Sequence, residues 1–319
     1  MRLLILGGSG FVGRAVADEA VRRGYDVTVL NRGQRVAPSG VSVLIGDRMG
    51  DLSALESGTW DAVVDTWSAQ GEAVRRTAEL LSTRAGHYAY VSSRSVYSGE
   101  QHEKAEAAPL VDDGDEGYAG DKLRGEQGAA AFDGSVLLAR AGLILGPYED
   151  IGRLPWWLNR LARGGPTLAP GPRDNPLQYI DARDLANFLL DTAARRVAGP
   201  FDLVSRSGHT TMGELLEVAA EVTGGRAELR WTDPATIEAA GIEPWTQLPV
   251  WLPPGDLHDF LHGGDVSKAY GEGLVCRPVR ETVEDTWAWL RSLPGDAPQR
   301  ADRPRVGLDP AVEAKVLGE

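Results

Sequence analysis

The chain is short of cysteine, of positive charge and of long apolar runs. Its single cysteine, Cys276, excludes an internal disulfide and a thiolate cluster and indicates a reducing compartment. Its 33 basic residues against 46 acidic ones give a formal net charge of -13. This charge repels nucleic-acid phosphates and anionic lipid, so neither nucleic acid nor membrane is a predicted partner. The apolar run Leu3 to Leu6 ends at glycines and is too short for a signal peptide or a membrane span, which predicts a cytoplasmic protein.

Short apolar, β-branched runs alternate with helix-like stretches over the first half of the chain. Strands are predicted at residues 2–6, 25–30, 41–45, 61–66, 87–92 and 135–140, with helices between them. Successive strands separated by helices require crossover connections and therefore a parallel sheet. The predicted fold class is α/β, a doubly wound parallel sheet with a smaller C-terminal lobe.

A glycine-rich turn follows the first strand and opens the first helix. The segment GGSGFVG places Gly7, Gly10 and Gly13 three residues apart. A dinucleotide pyrophosphate needs this arrangement, because side chains would block its approach while the amides and dipole of the helix attract its charge. Such turns also end strands for packing reasons, but the βα alternation favours nucleotide binding. The predicted cofactor contacts around this turn are Gly7, Ser9, Gly10, Phe11, Val12, Gly13 and, at the end of a later strand, Thr66.

The residues after the second and third strands bear on which dinucleotide binds. An acid at the end of the second strand would bind the 2′-hydroxyl of NAD, but Asn31 stands there. Arg32 can contact a 2′-phosphate or stack on adenine, so NADP is the predicted cofactor and NAD the alternative. It also stays open that Arg32 and Arg35 only solvate the loop. Asp47 and Arg48 are assigned to the same site; Asp47 either accepts from the adenine amino group or shapes a turn.

Tyr118 and Lys122 lie four residues apart in YAGDK and share one face of a predicted helix. A phenol with an ordinary pKa of about 10 is a poor base at pH 7, and a nearby ammonium favours the phenolate. Lys122 is also placed to hold the nicotinamide ribose. Such pairs occur by chance, but Ser93 ends a predicted strand in VSSRSVYS, where ligands of α/β proteins collect. Together the three residues indicate an active site.

Five motifs occur in order over residues 1–290: GGSGFVG, VSSRSVYS, YAGDK, LILGP and YIDARDLA. The chain thereby resembles the extended short-chain dehydrogenases/reductases, which include nucleotide-sugar epimerases and dehydratases. The resemblance implies a Rossmann-type sheet and the catalytic residues Ser93, Tyr118 and Lys122, with Ser93 chosen over Ser92 because it precedes Tyr97 by four residues. Ser93 would bond the substrate oxygen and Tyr118 would transfer its proton, while hydride passes between carbon and nicotinamide C4. By fold-level analogy the chain is a candidate homodimer.

The resemblance also implies a division of the chain into domains. Residues 1–146 are predicted to form the dinucleotide-binding Rossmann domain, with 174–205 returning to it. Residues 147–300 form the substrate-binding lobe and 301–319 a C-terminal tail. Seven of the 9 tryptophans lie beyond Pro147. Packing explains most of them, and one or two are expected at the substrate pocket. The candidates are Trp156, Trp157, Trp245 and Trp251, with Arg153 and Arg173.

Two departures from the nucleotide-sugar enzymes bear on the substrate. Leu143 stands where those enzymes carry an asparagine that holds the diphosphate, and Ser98 replaces the glycine of their VYG motif. The segments NRG, GDR, GPYE, YIDARDLA and LPVWLPP together resemble a reductase-like branch of the same family. The predicted function is therefore an NADP-preferring reductase or dehydrogenase acting on a carbonyl or alcohol of a small metabolite. The alternatives are an epimerase or dehydratase that oxidises its substrate transiently, and a non-catalytic dinucleotide sensor.

Two further patterns, a pair of histidines and an acidic segment, each allow a functional and a structural interpretation. His258 and His262 in HDFLH imitate a zinc helix, but Asp259 replaces the glutamate of that motif, so a capped surface helix without a metal is expected. The segment between Gly99 and Gly117 is strongly acidic. It is either a solvated loop or a cover of the active site, and as a cover it favours a cationic or neutral substrate.

Overall fold

The computed structural model describes residues 1–99 and 106–318. Its strands, in chain order, are β1 (Arg2–Leu6), β2 (Asp26–Asn31), β3 (Ser42–Ile45), β4 (Ala62–Asp65), β5 (His87–Ser93), β6 (Ser135–Ala141), β7 (Leu143–Leu145), β8 (Gly165–Pro170), β9 (Pro176–Leu177), β10 (Tyr179–Asp181), β11 (Gly199–Leu203), β12 (Thr210–Thr211), β13 (Ala227–Thr232), β14 (Pro244–Trp245) and β15 (Leu248–Pro249). Its helices are α1 (Phe11–Arg22), α2 (Gly71–Leu81), α3 (Tyr118–Ala129), α4 (Arg153–Arg163), α5 (Ala182–Arg195), α6 (Met212–Val222), α7 (Pro234–Ala239), α8 (Asp256–His262), α9 (Ser267–Gly271), α10 (Val279–Ser292) and α11 (Pro310–Leu317).

The chain divides into two compact units. The first unit consists of Met1–Gly142, Ala182–Val204 and Asp265–Val275. The second consists of Leu143–Asp181, Ser205–Gly264 and the chain from Cys276 onward. The return of Asp265–Val275 to the first unit was not foreseen from the sequence, because its short helix α9 carries no distinctive pattern. Lys268 joins this segment to β11 by donating to the carbonyl of Pro200.

The first unit is built on a seven-stranded parallel sheet in the order β11-β6-β5-β4-β1-β2-β3. The predicted fold class, a Rossmann-type α/β sheet, is confirmed. The central strands β1, β4 and β5 are almost wholly buried, as their continuous apolar runs require in a parallel sheet covered on both faces. The strand order reverses between β1 and β4, and ligands of such sheets bind outside the carboxyl ends at this switch point.

Helix α3 lies unusually close to its neighbours because glycines face them. A Cβ added to Gly125 would lie 2.0 Å from the hydroxyl oxygen of Tyr90 in β5. A Cβ added to Gly128 would lie 2.7 Å from the carbonyl oxygen of Gly71 at the start of α2. A larger side chain at Gly125 would force α3 away from the sheet, and one at Gly128 would force it away from α2. Gly125 therefore sets the distance between α3 and β5, and Gly128 the distance between α3 and α2.

The second unit has its own core, formed mainly by residues of α4, α6 and α10. Trp157 and Trp251 are fully buried there and donate their indole N–H groups to the carbonyls of Pro249 and Gly171. Packing thus accounts for both. Helix α11 is attached to this unit by Glu313, whose carboxylate binds Arg160 at 2.7 Å. None of the helices in the described ranges is long and apolar enough to cross a membrane.

Candidate active site

The glycine turn between β1 and α1 has the shape that its sequence predicts. Gly7 has a φ of +102°, and a Cβ there would lie 2.4 Å from Thr66 Oγ1. A Cβ on Gly13 would lie 2.4 Å from the Gly7 carbonyl oxygen. At Gly10, in contrast, nothing comes closer than 3.9 Å, and no side chain caps the helix that begins at Phe11. The turn therefore presents helix amides to an open space, which fits a pyrophosphate.

The end of β2 is tied to this turn by Asn31. Its Nδ2 donates to Ser9 Oγ at 3.0 Å, and its Oδ1 accepts from the amide of Gly33 at 2.8 Å. Both residues were assigned to the cofactor site from the sequence, and the structure brings them together. Arg32 and Arg35 are both exposed, and Arg35 Nη1 lies 4.0 Å from the Cβ position of Gly10. Arg35, which the sequence left as a possible loop residue, is therefore the arginine beside the glycine turn.

Asp47 and Arg48 lie in different environments although they are neighbours. Asp47 is exposed, and its carboxylate accepts from the amide of Met49 at 3.0 Å, as a turn-forming aspartate does. Arg48 is buried and binds both carboxylate oxygens of Asp65, at 2.5 and 2.8 Å. It also donates to Thr77. The Arg48 guanidinium is therefore occupied by buried partners within the protein, which argues against a role in holding the cofactor.

Ser92 and Ser93 end β5 and point to opposite faces of the sheet, as successive strand residues do. Ser92 Oγ donates to Glu126 of α3 at 2.6 Å. Ser93 Oγ donates to Ser95 Oγ and accepts from the Ser95 amide, both at 3.1 Å. The hydroxyl of Ser92 is thus bonded to a buried carboxylate, while that of Ser93 caps the short 3-10 turn Arg94–Val96 at the carboxyl end of the strand.

Lys122 and Tyr118 share one face of α3 but differ in exposure. Lys122 is only 3% exposed, and its Nζ donates to the carbonyl oxygens of Val91, at 2.6 Å, and Trp67, at 2.8 Å. Tyr118, the first residue of α3, is 37% exposed. Tyr90 lies beside both: the Lys122 ammonium is 4.9 Å from its ring centroid. Burial raises the pKa of Tyr90, and Asp65 and Tyr118 add to this effect. The buried Lys122 ammonium therefore lies near the carboxyl end of β5, one helical turn from the accessible phenol of Tyr118.

A buried polar cluster joins β6, β11 and the segment that follows β5. Tyr97 donates to Asp202 Oδ1 at 2.6 Å, and Arg140 donates to the Tyr97 hydroxyl at 3.1 Å. Burial raises the pKa of Asp202 from 3.8 to about 6, although Arg94 opposes the shift. The cluster also holds Glu106, whose carboxylate accepts from the amide of Asp202 at 3.1 Å.

The raised pKa of Asp202 predicts a specific dependence of stability on pH. Between these two pKa values, Asp202 holds a proton in the folded protein that it lacks in the unfolded chain. Asp202 therefore contributes stability that is fully present below about pH 4 and is lost as the pH rises through about 6. Asp202→Asn should abolish it. We expect the free energy of unfolding of the variant, relative to wild type, to improve by about 1–3 kcal/mol between about pH 4 and 7. Urea titrations across this range measure it, and a constant difference would contradict the assignment.

The described part of the acidic stretch is attached to the first unit. The amide of Val111 donates to the carbonyl of Val96, and Ser98 donates to that of Pro109. Arg124 of α3 donates to the carbonyls of Asp113 and Asp115. Residues 109–115 are therefore bonded both to the segment after β5 and to α3, shortly before Tyr118. Glu100 and Glu103, which also belong to this acidic stretch, lie outside the described residues.

The predicted helix at HDFLH is α8, and Leu257 on its outer face is exposed, but its two histidines face inward. His258 and His262 are both buried, with ring centroids 5.0 Å apart. His262 Nδ1 accepts from the amide of Gln178 at 3.0 Å, and His258 Nε2 lies 3.0 Å from the carbonyl oxygen of Pro176. The imidazoles thus bind backbone groups of the second unit. Across the residues that the structure describes, no group of three or more His, Cys, Asp or Glu could hold a metal ion.

Two features of the second unit bear on substrate choice. Leu143, in β7, is buried in the core of this unit, so the position of the diphosphate-binding asparagine carries a packed apolar side chain. Trp156 packs against Gly307, where a Cβ would lie 2.1 Å from its indole nitrogen. Trp245 is partly buried, with Arg153 Cζ 5.4 Å from its ring centroid. Of the four candidate tryptophans, Trp156 and Trp245 are therefore the two that the core does not bury completely.

Comparison with known proteins places this geometry in context. The sequence matches the NAD-dependent epimerase/dehydratase family over residues 3–65 and 52–201, more than half of the chain. A 2-alkyl-3-oxoalkanoate reductase from Stenotrophomonas maltophilia (strain K279a) is 28% identical over 255 residues, 70% of this chain and 76% of its own. A ceramide reductase from Caulobacter vibrioides (strain NA1000 / CB15N) is 26% identical over 276 residues, 81% of this chain and 83% of its own. The crystal structure of the Bordetella bronchiseptica enzyme WbmH in complex with NAD+ has the same fold, with a TM-score of 0.68 at 17% identity over 91% of this chain and 98% of that one.

Proposed function

The chain belongs to the NAD-dependent epimerase/dehydratase family, and from this premise we propose that it is an NADP-preferring reductase that acts on a carbonyl of a small metabolite. Membership confirms the resemblance to the extended short-chain dehydrogenases/reductases and makes the protein an enzyme of that type. The observation that carries the proposal is the buried Lys122 ammonium, held by the carbonyls of Val91 and Trp67. It lies one helical turn from the accessible Tyr118 and beside the strand that ends in Ser93.

These residues divide the work of carbonyl reduction. The nicotinamide of a bound cofactor supplies hydride to the carbonyl carbon. Tyr118 gives its phenolic proton to the carbonyl oxygen, and Ser93 donates a hydrogen bond to the same oxygen. Lys122 binds the nicotinamide ribose and stabilises the phenolate left on Tyr118 by its charge. The glycine turn at Gly7–Gly13 and the Ser9–Asn31 pair hold the adenine half of the dinucleotide.

Two observations favour a reductase over a nucleotide-sugar epimerase or dehydratase. The buried Leu143 offers no amide to a sugar diphosphate. The two curated relatives are both named as reductases, and the name of one specifies a 3-oxoalkanoate. We therefore choose 3-oxo acids, with or without a 2-alkyl group, as the first substrates to test.

The test follows NADPH absorbance during incubation with 3-oxoalkanoates and, separately, with UDP-sugars. A reductase consumes one NADPH for each alcohol formed, identified by mass spectrometry. Conversion of a UDP-sugar with an unchanged nicotinamide signal would establish the epimerase alternative instead. Binding of NADPH without conversion of either class would favour the sensor. A homodimer and a cytoplasmic location stay predictions.

The preference for NADP depends on the arginines that follow β2. We expect NADPH to bind about ten-fold more tightly than NADH, because an arginine beside the glycine turn gains a charge-assisted contact with the 2′-phosphate. Arg35→Ala and Arg32→Ala should each reduce this ratio, Arg35→Ala more strongly. Arg195→Ala is the control, since that exposed residue of α5 pairs with Glu272. Nicotinamide fluorescence titrations give the dissociation constants; equal affinities in wild type would instead indicate an NAD enzyme.

A further inference from the structure

A buried cluster joins the strand that ends in Ser93 to the helix that carries Tyr118 and Lys122. Ser92 Oγ donates to Glu126 Oε1 at 2.6 Å. Arg140, from the adjacent strand β6, donates from Nε to the same oxygen at 2.9 Å and from Nη2 to Oε2 at 2.8 Å. Ser92, Glu126 and Arg140 are 2%, 5% and 4% exposed. The proposed reaction uses none of the three.

The cluster stands next to the bonds that hold Lys122. Adjacent residues of β5 meet residues of α3 that are one helical turn apart: the Val91 carbonyl accepts from Lys122, and the Ser92 hydroxyl donates to Glu126. Both bonds are 2.6 Å long and join the same two elements, so a slide of α3 along β5 would lengthen both together. The bidentate pair with Arg140 fixes the orientation of the Glu126 carboxylate, because planar guanidinium and carboxylate groups bind with defined geometry.

We propose that Ser92 and Glu126 are positioning residues: their hydrogen bond sets the height of α3 on β5 and thereby places the Lys122 ammonium for the nicotinamide ribose. This inference rests on the proposed role of Lys122 in binding that ribose. The effect passes through α3, and Arg140 contributes by holding Glu126. The cluster therefore affects binding of the nicotinamide ribose, whereas the glycine turn binds the adenine half of the dinucleotide.

The test compares two ligands that differ at the nicotinamide end. In Ser92→Ala, we expect the dissociation constant of NADPH to rise by about three- to ten-fold, because only part of the free energy of the lost hydrogen bond to the charged Glu126 carboxylate acts on the position of Lys122. The dissociation constant of 2′,5′-ADP, which has no nicotinamide ribose, should change less than about two-fold. Thr192→Val is the matched control. Thr192 is fully buried in α5 and donates to the carbonyl of Phe188, so its loss removes a buried hydroxyl remote from the cluster.

A second variant separates positioning from general stability. In Glu126→Gln, the amide oxygen still accepts from Ser92, but the buried Arg140 loses its charged partner. We expect Glu126→Gln to lower the melting temperature more than Ser92→Ala does, yet to weaken NADPH binding less. A purely structural role would put the two variants in the same order in both measurements, and that result would overturn the inference.

The remaining outcomes distinguish this inference from the function on which it rests. Lys122→Met should weaken NADPH binding by more than ten-fold while 2′,5′-ADP binding persists. If Lys122→Met has no effect on NADPH, the proposed role of Lys122 fails and the inference falls with it. If Lys122→Met weakens NADPH binding and Ser92→Ala behaves like Thr192→Val, the function stands and the positioning role is wrong.

Discussion

Tyr118→Phe is expected to reduce the rate of carbonyl reduction by about 10²- to 10⁴-fold, the usual contribution of a positioned general acid. The substitution removes the phenolic proton but keeps the ring at the start of α3. Because Tyr118 is not assigned to cofactor binding, the dissociation constant of NADPH should stay within about two-fold. Steady-state NADPH consumption with the best 3-oxo acid measures the rate, and fluorescence titration measures the binding.

The control for this variant is Tyr25→Phe, which removes a phenolic hydroxyl from the loop before β2. It should retain nearly full activity. An unchanged rate in Tyr118→Phe would remove Tyr118 from the mechanism and favour the non-catalytic sensor. A joint loss of rate and of NADPH affinity would mean that Tyr118 holds the cofactor instead of transferring a proton.

Gly13→Ala is expected to weaken binding of NADPH and NADH by at least about ten-fold. The added Cβ would lie 2.4 Å from the Gly7 carbonyl oxygen, so the turn must move away from α1. Overpacking of this kind costs about 1–3 kcal/mol. The turn relieves it by leaving the geometry in which it presents the helix amides to the pyrophosphate. Titration with each dinucleotide measures the loss, and circular dichroism establishes that the variant is folded.

A matched glycine provides the control for this second prediction. Gly271→Ala adds a methyl group at the end of α9, where nothing lies within 4 Å of the new Cβ. Its dinucleotide affinity should equal that of wild type. If Gly13→Ala also binds both dinucleotides normally, the turn does not hold a pyrophosphate, and the cofactor site must lie elsewhere.

The sequence predicted the features that depend on local patterns. Buried parallel strands have continuous apolar sequences, and two of the three glycines in the turn are required by separate steric constraints. Gly7 has a positive φ, and Gly13 packs on the Gly7 carbonyl. The side-by-side placement of Tyr118 and Lys122 also follows from helical spacing alone.

The features that the sequence missed depend on contacts between distant segments. Arg48 was assigned to the cofactor because it follows a strand, but it is buried against Asp65, 17 residues later. A signal was present, since an aspartate inside the apolar run DAVVD requires a buried partner. His258 and His262 have no such signal, because the backbone groups that they bind belong to residues 176 and 178. Arg35 is placed by the course of its loop, which no spacing rule predicts.

A crystal structure of the protein with NADP+ tests the central claim most directly. The account predicts the pyrophosphate at the glycine turn, Lys122 Nζ about 3 Å from a hydroxyl of the nicotinamide ribose, and Tyr118 Oη and Ser93 Oγ both within hydrogen-bonding distance of one water or substrate oxygen beside the nicotinamide ring. A nicotinamide ring bound away from Tyr118 and Lys122, or a glycine turn that leaves the pyrophosphate without contacts, would contradict it.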